Sequence, residues 1–496
     1  MLTLGYDLGS SSVKASIIDT ETGKCIASAF YPEQEMPISA PQPGWAEQDP
    51  DMWWKNALAA TKEVLRNPAV DPEAVAAIGI SYQMHGLVIV DKDHKPLRPS
   101  IIWCDSRAVD IGDRAFESIG SEICLSSLLN SPGNFTASKL AWVKENEPEI
   151  YSKIYKIMLP GDYLAMRLTG EIFTTPSGLS EGILWDFKKN EVSGLVMDHY
   201  GIDPSFIPDI MPVFSTQGRV TAEAAYEFGI NKGVPVTYRA GDQPNNAFSL
   251  NVLNPGEIAA TAGTSGVVYG VSDEIKYDPQ SRVNTFAHVN HEKGKNRLGV
   301  LLCINGTGIL NSWVKRNIAP AGLSYNDMNR MAESVPPGSD GLAILPFGNG
   351  SERMLCNKYT GCHISNMSFN IHTDAHVMRA AQEGIVFAFH YGMDIMRQTG
   401  IKPEIIRAGN ANMFLSPIFG KSMAALTGAT IELYNTDGSQ GAARAAAIGA
   451  GIYFSFEEAF GTLTVVDRIV PDTKLLPVLE RSYDNWLSLL RRQLDG

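Results

Sequence analysis

The sequence predicts an α/β protein of two similar halves that face one another across a cleft, each half a mixed β-sheet flanked by helices. Two hairpins of one design indicate the two halves. An apolar strand, a loop of Gly, Ser and Thr, and a returning apolar strand occur at residues 2–19 and again at residues 257–271. Between the hairpins, helical and strand-like segments alternate along the chain. We therefore expect two domains, residues 1–250 and residues 251–496.

The first hairpin belongs to a predicted antiparallel meander, because three apolar runs separated by tight turns open the chain. These predicted strands are residues 2–7, residues 13–19 and a third that ends near residue 31. A dinucleotide-binding unit would instead run from its first strand into a helix. Asp49 and Pro50 then predict a helix N-cap and first helical residue, and this helix is expected to reach about Leu65. Val75–Ser81 is a predicted buried strand.

Composition narrows the class of protein. Hydrophobic residues make up 44% of the 496 residues and charged residues 19%, as in ordinary globular proteins. The formal net charge of -13 argues against a nucleic acid or an anionic membrane as partner. The first residues lack a basic signal-peptide region and no apolar run reaches about 18 residues, so we expect a cytoplasmic protein. The six cysteines fit no familiar zinc pattern and are expected to be free thiols.

The first loop, Gly9–Ser12, offers backbone amides and hydroxyl groups that suit phosphate oxygens. Its members Gly9, Ser10, Ser11 and Ser12, together with Lys14, are candidate nucleotide-binding residues. Asp7, at the end of the preceding strand, could hold Mg²⁺ directly or through water. Taken alone, such a loop is more simply a plain hairpin turn.

The second loop, in the later hairpin, changes the interpretation of the first. It consists of Gly263, Thr264, Ser265 and Gly266, between the predicted strands Glu257–Ala262 and Val267–Val271. Two matching loops in facing halves indicate a polyphosphate held from two sides. The hypothesis is that both loops bind the phosphates of one such ligand.

Asp242 is the candidate general base, because it follows the predicted strand Val236–Gly241 directly. Pro244 is expected to begin a helix there. A carboxylate at a strand end can accept a proton from a substrate hydroxyl. The alternative is that Asp242 only caps that helix.

Four further segments can each be interpreted in two ways. Gln83 and His85 follow a buried strand, where a lone His is more often a structural residue. Asp105 and Arg107, next to Trp103, could simply pair with each other. The small residues of two other segments, 408–412 and 437–450, would leave a slot for adenine or would only allow close helix–sheet packing.

Together these motifs resemble the FGGY family of carbohydrate kinases, within the hexokinase and actin superfamily. The resemblance runs from Gly5 to beyond Gly449, nearly the whole chain. The motifs that carry it are, in order, Asp7–Ser11, Pro43–Pro50, Trp103 with Asp105 and Arg107, Gly241-Asp242, Gly263–Gly266, Pro346–Arg353 and Gly438–Ala443. Each motif alone is weak, whereas their order and spacing together identify the family.

The resemblance implies two actin-like (ribonuclease H-like) domains, with sugar bound by the first and ATP mainly by the second. It implies an ATP- and Mg²⁺-dependent sugar kinase in which Asp242 is the base and Asp7 lies by the metal. Gln83–Gly86 and Leu159–Leu164 resemble the subfamily that acts on xylulose. By that resemblance the sugar-binding residues are Gln83, Met84, His85, Trp103, Asp242 and Gln243, and the nucleotide-binding residues include Gly409, Asn410 and Asn412.

The chain departs from the family pattern at three places. Gln243 stands where Asn is usual, Ser177–Glu181 lacks an aspartate, and Ala408–Asn412 replaces a run of glycines. Ribulose, gluconate, fuculose and glycerol therefore stay open as substrates. A non-catalytic actin-like sugar sensor is the alternative from another class. The expected partner is a small-molecule sugar, and the sequence is compatible with a homodimer.

Overall fold

A computed structural model describes residues 1–495 of the chain. Its strands are β1 Leu2–Leu8, β2 Val13–Asp19, β3 Cys25–Tyr31, β4 Glu47–Gln48, β5 Val75–Tyr82, β6 Val88–Val90, β7 Ser100–Ile101, β8 Lys156–Met158, β9 Phe173–Thr174, β10 Trp185–Asp186, β11 Glu191–Val192, β12 Asp209–Ile210, β13 Val236–Gly241, β14 Glu257–Ala262, β15 Gly266–Ser272, β16 Asn284–Ala287, β17 Leu298–Ile304, β18 Ala343–Phe347, β19 Gly361–Ser365, β20 Ile405–Gly409, β21 Thr430–Tyr434 and β22 Val465–Ile469.

The α-helices are α1 Pro50–Val64, α2 Val109–Ile119, α3 Ser121–Leu128, α4 Thr136–Asn146, α5 Pro148–Tyr151, α6 Pro160–Thr169, α7 Pro176–Glu181, α8 Gly194–Tyr200, α9 Ala222–Phe228, α10 Asp242–Ser249, α11 Gly308–Asn317, α12 Tyr325–Glu333, α13 Asp374–Gln398, α14 Pro417–Thr427, α15 Gly438–Gly449, α16 Phe456–Phe460 and α17 Leu476–Asp495.

The chain forms two compact units. The first comprises Met1–Asn251, Phe286–Leu298 and Thr436–Leu463, and the second comprises Val252–Thr285, Gly299–Asn435 and Thr464 onward. The sequence placed Thr436–Leu463 in the second half, and here the structure differs. The reason is tight packing, because α15 lies on the first unit's sheet. A Cβ atom on Gly79 of β5 would lie 2.0 Å from the carbonyl oxygen of Ala442 in α15.

The main sheet of the first unit has the strand order β13-β5-β1-β2-β3. β1, β2 and β3 are antiparallel neighbours, so the predicted meander is correct, while β5 runs parallel to β1 and β13 parallel to β5. Parallel strands bring their carboxyl ends to one edge of a sheet. That edge therefore carries the residues after β1, β5 and β13, where sequence motifs placed the sugar and metal sites.

The second unit is organised in the same way around its own sheet. β14 pairs antiparallel with β15 and parallel with β20, and β20 pairs parallel with β21. The long buried helix α13 packs beside this sheet, and Trp486 of α17 lies in the same core, fully buried. The carboxyl ends of β14 and β20 are adjacent, which brings together the loops that follow them.

Helix starts agree with the sequence in one case and differ in another. Asp49 caps α1, accepting a hydrogen bond from the amide of Asp51, and Pro50 is the first helical residue, as predicted. Pro244, however, is the third residue of α10, because that helix begins at Asp242 after the N-cap Gly241.

Two further observations bear on the class of protein. No helix among the described residues is long and apolar enough to cross a membrane. All six cysteines are free thiols, and no group of three or more His, Cys, Asp or Glu side chains within residues 1–495 is arranged to hold a metal ion by itself.

Candidate active site

Asp7 lies near the carboxyl end of β1, partly buried beside β5. Its Oδ1 accepts a hydrogen bond of 2.9 Å from the hydroxyl of Ser81. Burial raises the pKa of Asp7, the hydroxyl of Ser81 opposes the rise, and the nearby carboxylate of Asp437 adds to it. A metal cation beside Asp7 would offset this accumulation of negative charge.

Asp437, the N-cap of α15, accounts for much of the local electrostatics. Lys14 donates to its Oδ2 at 2.6 Å, so the charge of Lys14 is already partly balanced within the protein. Ser439 and Gln440 also donate to the carboxylate, at 2.7 Å and 2.9 Å. The sequence predicted Lys14 as a phosphate-binding residue without this partner. The structure therefore places Lys14 among the groups that bind the Asp437 carboxylate.

The loop Gly9–Ser12 is a tight turn with several of its backbone groups already paired. The amide of Gly9 donates to the carbonyl of Ser12 at 3.0 Å, so that amide is used inside the loop. The carbonyl of Ser10 accepts from Gln48 Nε2 at 2.7 Å. Ser11 is exposed. The groups of this loop suited to a phosphate are therefore the hydroxyls and amides of its serines.

Asp242 stands at the first position of α10, directly after β13. The N-cap of that helix is Gly241, and the Asp242 carboxylate accepts hydrogen bonds from Gln243 in the first turn. Burial, and then the negative charge of Asp7, raise the pKa of Asp242 to about 7, while hydrogen bonds from Gln243 oppose the rise. A pKa near neutrality suits a group that alternately takes up and releases a proton.

Met84 and His85 follow β5 and face the same part of the unit as Asp242. The carbonyl of Glu181 lies 2.9 Å from His85 Nδ1, and because a carbonyl can only accept, Nδ1 carries the proton. The His85 ring also packs edge-on against Phe135 and contacts Phe286, at centroid distances of 4.8 Å and 5.2 Å. These contacts fix the orientation of the ring.

The backbone at His85 is also held by a buried lysine. Lys139 of α4 is fully buried, and its ammonium group donates to the carbonyls of His85 and Ile102 at 2.8 Å and 3.0 Å. Burial lowers the pKa of Lys139 to about 7. Gln83, next to this turn, is buried and donates to Gln48 Oε1 at 3.1 Å.

The Trp103–Arg107 segment divides into an exposed and a buried part. The Trp103 side chain is 53% exposed, and its indole N–H lies 3.4 Å from Ser10 Oγ. Asp105 and Arg107 pair with each other in the interior, and the Arg107 guanidinium lies 3.8 Å from the ring centroid of Trp45. The pairing alternative thus describes Asp105 and Arg107.

The structure shows how the small residues of segment 437–450 are used. The small residues of α15 are used in close packing, since a Cβ atom on Gly5 of β1 would lie 2.0 Å from the carbonyl oxygen of Ser439. This is the helix–sheet alternative that the sequence left open, and it explains why α15 needs alanines and glycines.

In the second unit the structure brings the two predicted nucleotide segments together. The loop Gly263–Gly266 joins β14 to β15, with Thr264 and Ser265 exposed. The amide of Asn412, by its Nδ2, lies 3.7 Å from the position of a Cβ on Gly263. No atom lies within 4 Å of that position on Gly409. Gly409, Asn410 and Asn412 therefore border open space at the ends of adjacent parallel strands.

The loop of the second unit is held rigidly by α11. The amides of Gly308 and Ile309 donate to the carbonyls of Gly263 and Thr264 at 2.9 Å and 3.0 Å. Glu352, a buried member of the Pro346–Arg353 motif, accepts from the amides of Asn305 and Gly306 just before this helix. Burial raises the pKa of Glu352 to about 7.

Three residues of the first unit's site were missed by sequence reasoning: Ser81, Lys139 and Glu181. Ser81 could have been found, because it ends the strand beside Asp7. Lys139 gave no signal, since lysines are mostly on surfaces. Glu181 lies in the segment that departs from the family pattern, and that departure was the available signal.

The residues around Asp7 fit a magnesium ion. The carboxylate of Asp7 and the hydroxyl of Ser81 are oxygen donors, the kind Mg²⁺ prefers. Mg²⁺ usually binds through one or two carboxylates and takes its other ligands from water and substrate phosphates. A single partly buried carboxylate close to the Gly9–Ser12 loop is compatible with that pattern.

Comparisons with known proteins agree with the sequence motifs. The N-terminal domain model of the FGGY family of carbohydrate kinases matches residues 2–249, and the C-terminal domain model matches residues 258–450. The xylulose kinase of Lactococcus lactis is 30% identical over 97% of this chain and 95% of its own length. An L-xylulose/3-keto-L-gulonate kinase of Escherichia coli is 29% identical over 98% of this chain and 96% of its own.

A solved structure shows the same fold. The crystal structure of xylulose kinase from Rhodospirillum rubrum superposes with a TM-score of 0.89 and 26% identity, and all of each chain is covered. The expected fold of two actin-like domains is therefore confirmed.

Proposed function

The chain belongs to the FGGY family of carbohydrate kinases, which makes it an ATP-dependent sugar kinase, and we propose that it phosphorylates D-xylulose at the terminal hydroxyl. The observation that carries this proposal is the position of Asp242. It directly follows the strand β13 and Gly241, whose Cβ position lies 2.6 Å from Met84 Cγ, and its pKa is raised to about 7. The similarity to xylulose kinases supports the choice of sugar.

In the proposed reaction Asp242 orients the terminal hydroxyl of the sugar and accepts its proton. The hydroxyl oxygen forms a bond to the γ-phosphorus, the bond from that phosphorus to the bridging oxygen breaks, and ADP leaves. Because the transition state of phosphoryl transfer is loose, the proton can leave late, and positioning contributes most of the rate. General-base assistance contributes about 10²–10⁴-fold.

The remaining residues bind and orient. The hydroxyls and amides of Ser10–Ser12 and of Thr264 and Ser265 are proposed to donate to phosphate oxygens. Gly409, Asn410 and Asn412 are proposed to border the nucleoside. Asp7, with Ser81 beside it, is proposed to hold Mg²⁺, which when bound would neutralise charge on the phosphate oxygens.

The sugar is proposed to contact Met84 and His85, with Gln83, Trp103 and Gln243 nearby. The fixed ring of His85 supports this role, because a preset orientation is what selects one arrangement of hydroxyls. We place the reaction in the cytoplasm, where ATP is available.

An ATP-consumption assay across ketoses, aldoses and polyols tests the proposal. D-Xylulose should have the highest kcat/KM, and L-xylulose, ribulose, gluconate and glycerol are the necessary competitors. A tenfold or greater preference for another sugar would overturn the choice of substrate. Asp242→Asn is the control for the chemistry, and it should lose at least about 10²-fold in kcat. Sugar-dependent thermal stabilisation without any ATP consumption would instead favour a sugar sensor.

A further inference from the structure

Glu181, the last residue of α7, carries a buried carboxyl group that the proposed mechanism does not use. Its side chain is 1% exposed, and neither carboxyl oxygen has a hydrogen bond of normal geometry. The large majority of buried polar side-chain atoms are hydrogen-bonded, and the exceptions require a specific explanation. Glu181 is therefore the strongest unexplained polar group in the first unit.

Glu181 contacts several of the residues assigned to the sugar. Its backbone carbonyl accepts the hydrogen bond from His85 Nδ1 at 2.9 Å. Its Oε2 lies 2.9 Å from the position of a Cβ on Gly241, and Met84 Cγ lies 2.6 Å from the same position. Gly241 directly precedes Asp242. Glu181 thus binds the histidine and lies against the turn that carries the base, where Met84 also packs.

Within residues 1–495, the groups that face the Glu181 carboxyl include no cation. They are the hydroxyl of Tyr82, the backbone amide of His85 and the carboxylates of Asp242 and Asp162. Arg239, the cation of this region, already donates to Asp162 at 3.0 Å. Burial raises the pKa of Glu181 well above its usual value and the like charges of the two aspartates add to the rise, while the hydroxyl of Tyr82 and the backbone amide of His85 oppose it.

The protonated and ionised forms would have different consequences for the reaction. A carboxylate at Glu181 would add a further negative charge near Asp242. That charge would disfavour both the ionisation of Asp242 and the approach of an anionic phosphoryl group. A neutral carboxylic acid leaves Asp242 free to ionise, and its O–H can donate to a neighbouring acceptor.

We propose that Glu181 is a positioning residue that stays protonated and holds Met84, His85 and the Gly241–Asp242 turn in place for the sugar. The proposal rests on the proposed kinase function. It predicts that a neutral side chain of the same size can replace Glu181, whereas a short apolar side chain cannot.

Steady-state kinetics of Glu181→Gln and Glu181→Ala test the positioning role. Glu181→Gln should keep kcat/KM for D-xylulose within about threefold of the unaltered enzyme, because glutamine preserves size, neutrality and a donor. Glu181→Ala should raise the sugar KM about tenfold or more and leave the ATP KM unchanged. Glu191→Ala, at an exposed position in β11, is the matched control.

Three outcomes would overturn the proposal. A Glu181→Ala enzyme with normal sugar KM would show that the residue positions nothing. A Glu181→Gln enzyme as impaired as Glu181→Ala would show that the negative charge is needed. An equal rise of the sugar and ATP KM values, with a lowered melting temperature, would indicate a general structural role instead.

Infrared spectroscopy tests protonation without any substrate. The difference spectrum between unaltered protein and Glu181→Gln, at about pH 8, should contain the C=O stretching band of a protonated carboxylic acid. The same band should persist in the Asp242→Asn protein, which assigns it to Glu181. A carboxylate band in its place would refute the proposal. Failure of the unaltered protein to phosphorylate any sugar would refute the proposed function, and the infrared result would still decide the charge of Glu181.

Discussion

Asp242 connects the chemistry of the site to pH. Burial and the charge of Asp7 raise its pKa to about 7, and only the ionised carboxylate can accept a proton. Below the pKa the group is protonated and inactive as a base, so kcat/KM for D-xylulose should fall as pH decreases through about 7. A profile measured from about pH 5.5 to 8.5 checks this, provided that the stability of the enzyme is confirmed at each pH.

The pH profile of kcat/KM would look different if the pKa of Asp242 were not raised. If Asp242 had the ordinary value of 3.8, activity would stay level down to about pH 5. The residual activity of Asp242→Asn should not show the acidic limb, because the titrating group has been removed. A limb that persists in this variant would assign the titration to another group.

His85 should govern affinity for the sugar. His85→Ala removes a ring that Glu181 orients and two aromatic rings enclose, so the sugar KM should rise at least about tenfold while the ATP KM changes little. His94→Ala is the matched control, because His94 has the same positive φ of 61° but lies in a turn elsewhere in the first unit. Equal losses of affinity for both substrates would point to a structural histidine.

At the scale of elements, the contact between α15 and the first sheet should be intolerant of added atoms. Gly79→Ala would place a Cβ 2.0 Å from a backbone carbonyl oxygen, which cannot move without displacing the helix. The free energy of unfolding in urea should fall by about 3 kcal/mol, at the upper end of the usual cost of overpacking. The control Gly194→Ala meets only Asp198 Oδ2 at 3.8 Å, and its stability should be unchanged. A stable Gly79→Ala protein would contradict this packing.

The same helix shows what sequence can and cannot predict. The meander β1–β3 and the helix start at Asp49 were predictable, because each depends on residues close together in the chain. The partner of α15 was not, since small residues signal close packing without naming the surface. Lys14 is a similar case: its ion-pair partner Asp437 is 423 residues away. The strand-end positions of Asp7 and Asp242 were predictable because each depends on a local pattern.

At the scale of the whole molecule, the residues proposed for the two substrates belong to different units. Met84, His85 and Asp242 are in the first unit, whereas Gly263–Gly266 and Gly409–Asn412 are in the second. Phosphoryl transfer requires the sugar hydroxyl and the γ-phosphoryl group to meet, so the reactive state must be one in which both sets of groups act together. A ligand that binds this state more tightly than others increases its population.

Sugar and nucleotide should therefore strengthen each other's binding. We expect saturating D-xylulose to lower the Kd of a non-hydrolysable ATP analogue by about 5- to 150-fold, the usual range of coupling between sites. By linkage, the analogue must lower the Kd of the sugar by the same factor. Calorimetric titration of each ligand, with and without the other, measures both factors. Sucrose at equal concentration is the control for a nonspecific solute effect. Two independent affinities would mean that the reactive state is already fully populated in the free enzyme, and ATP hydrolysis without sugar should then be fast.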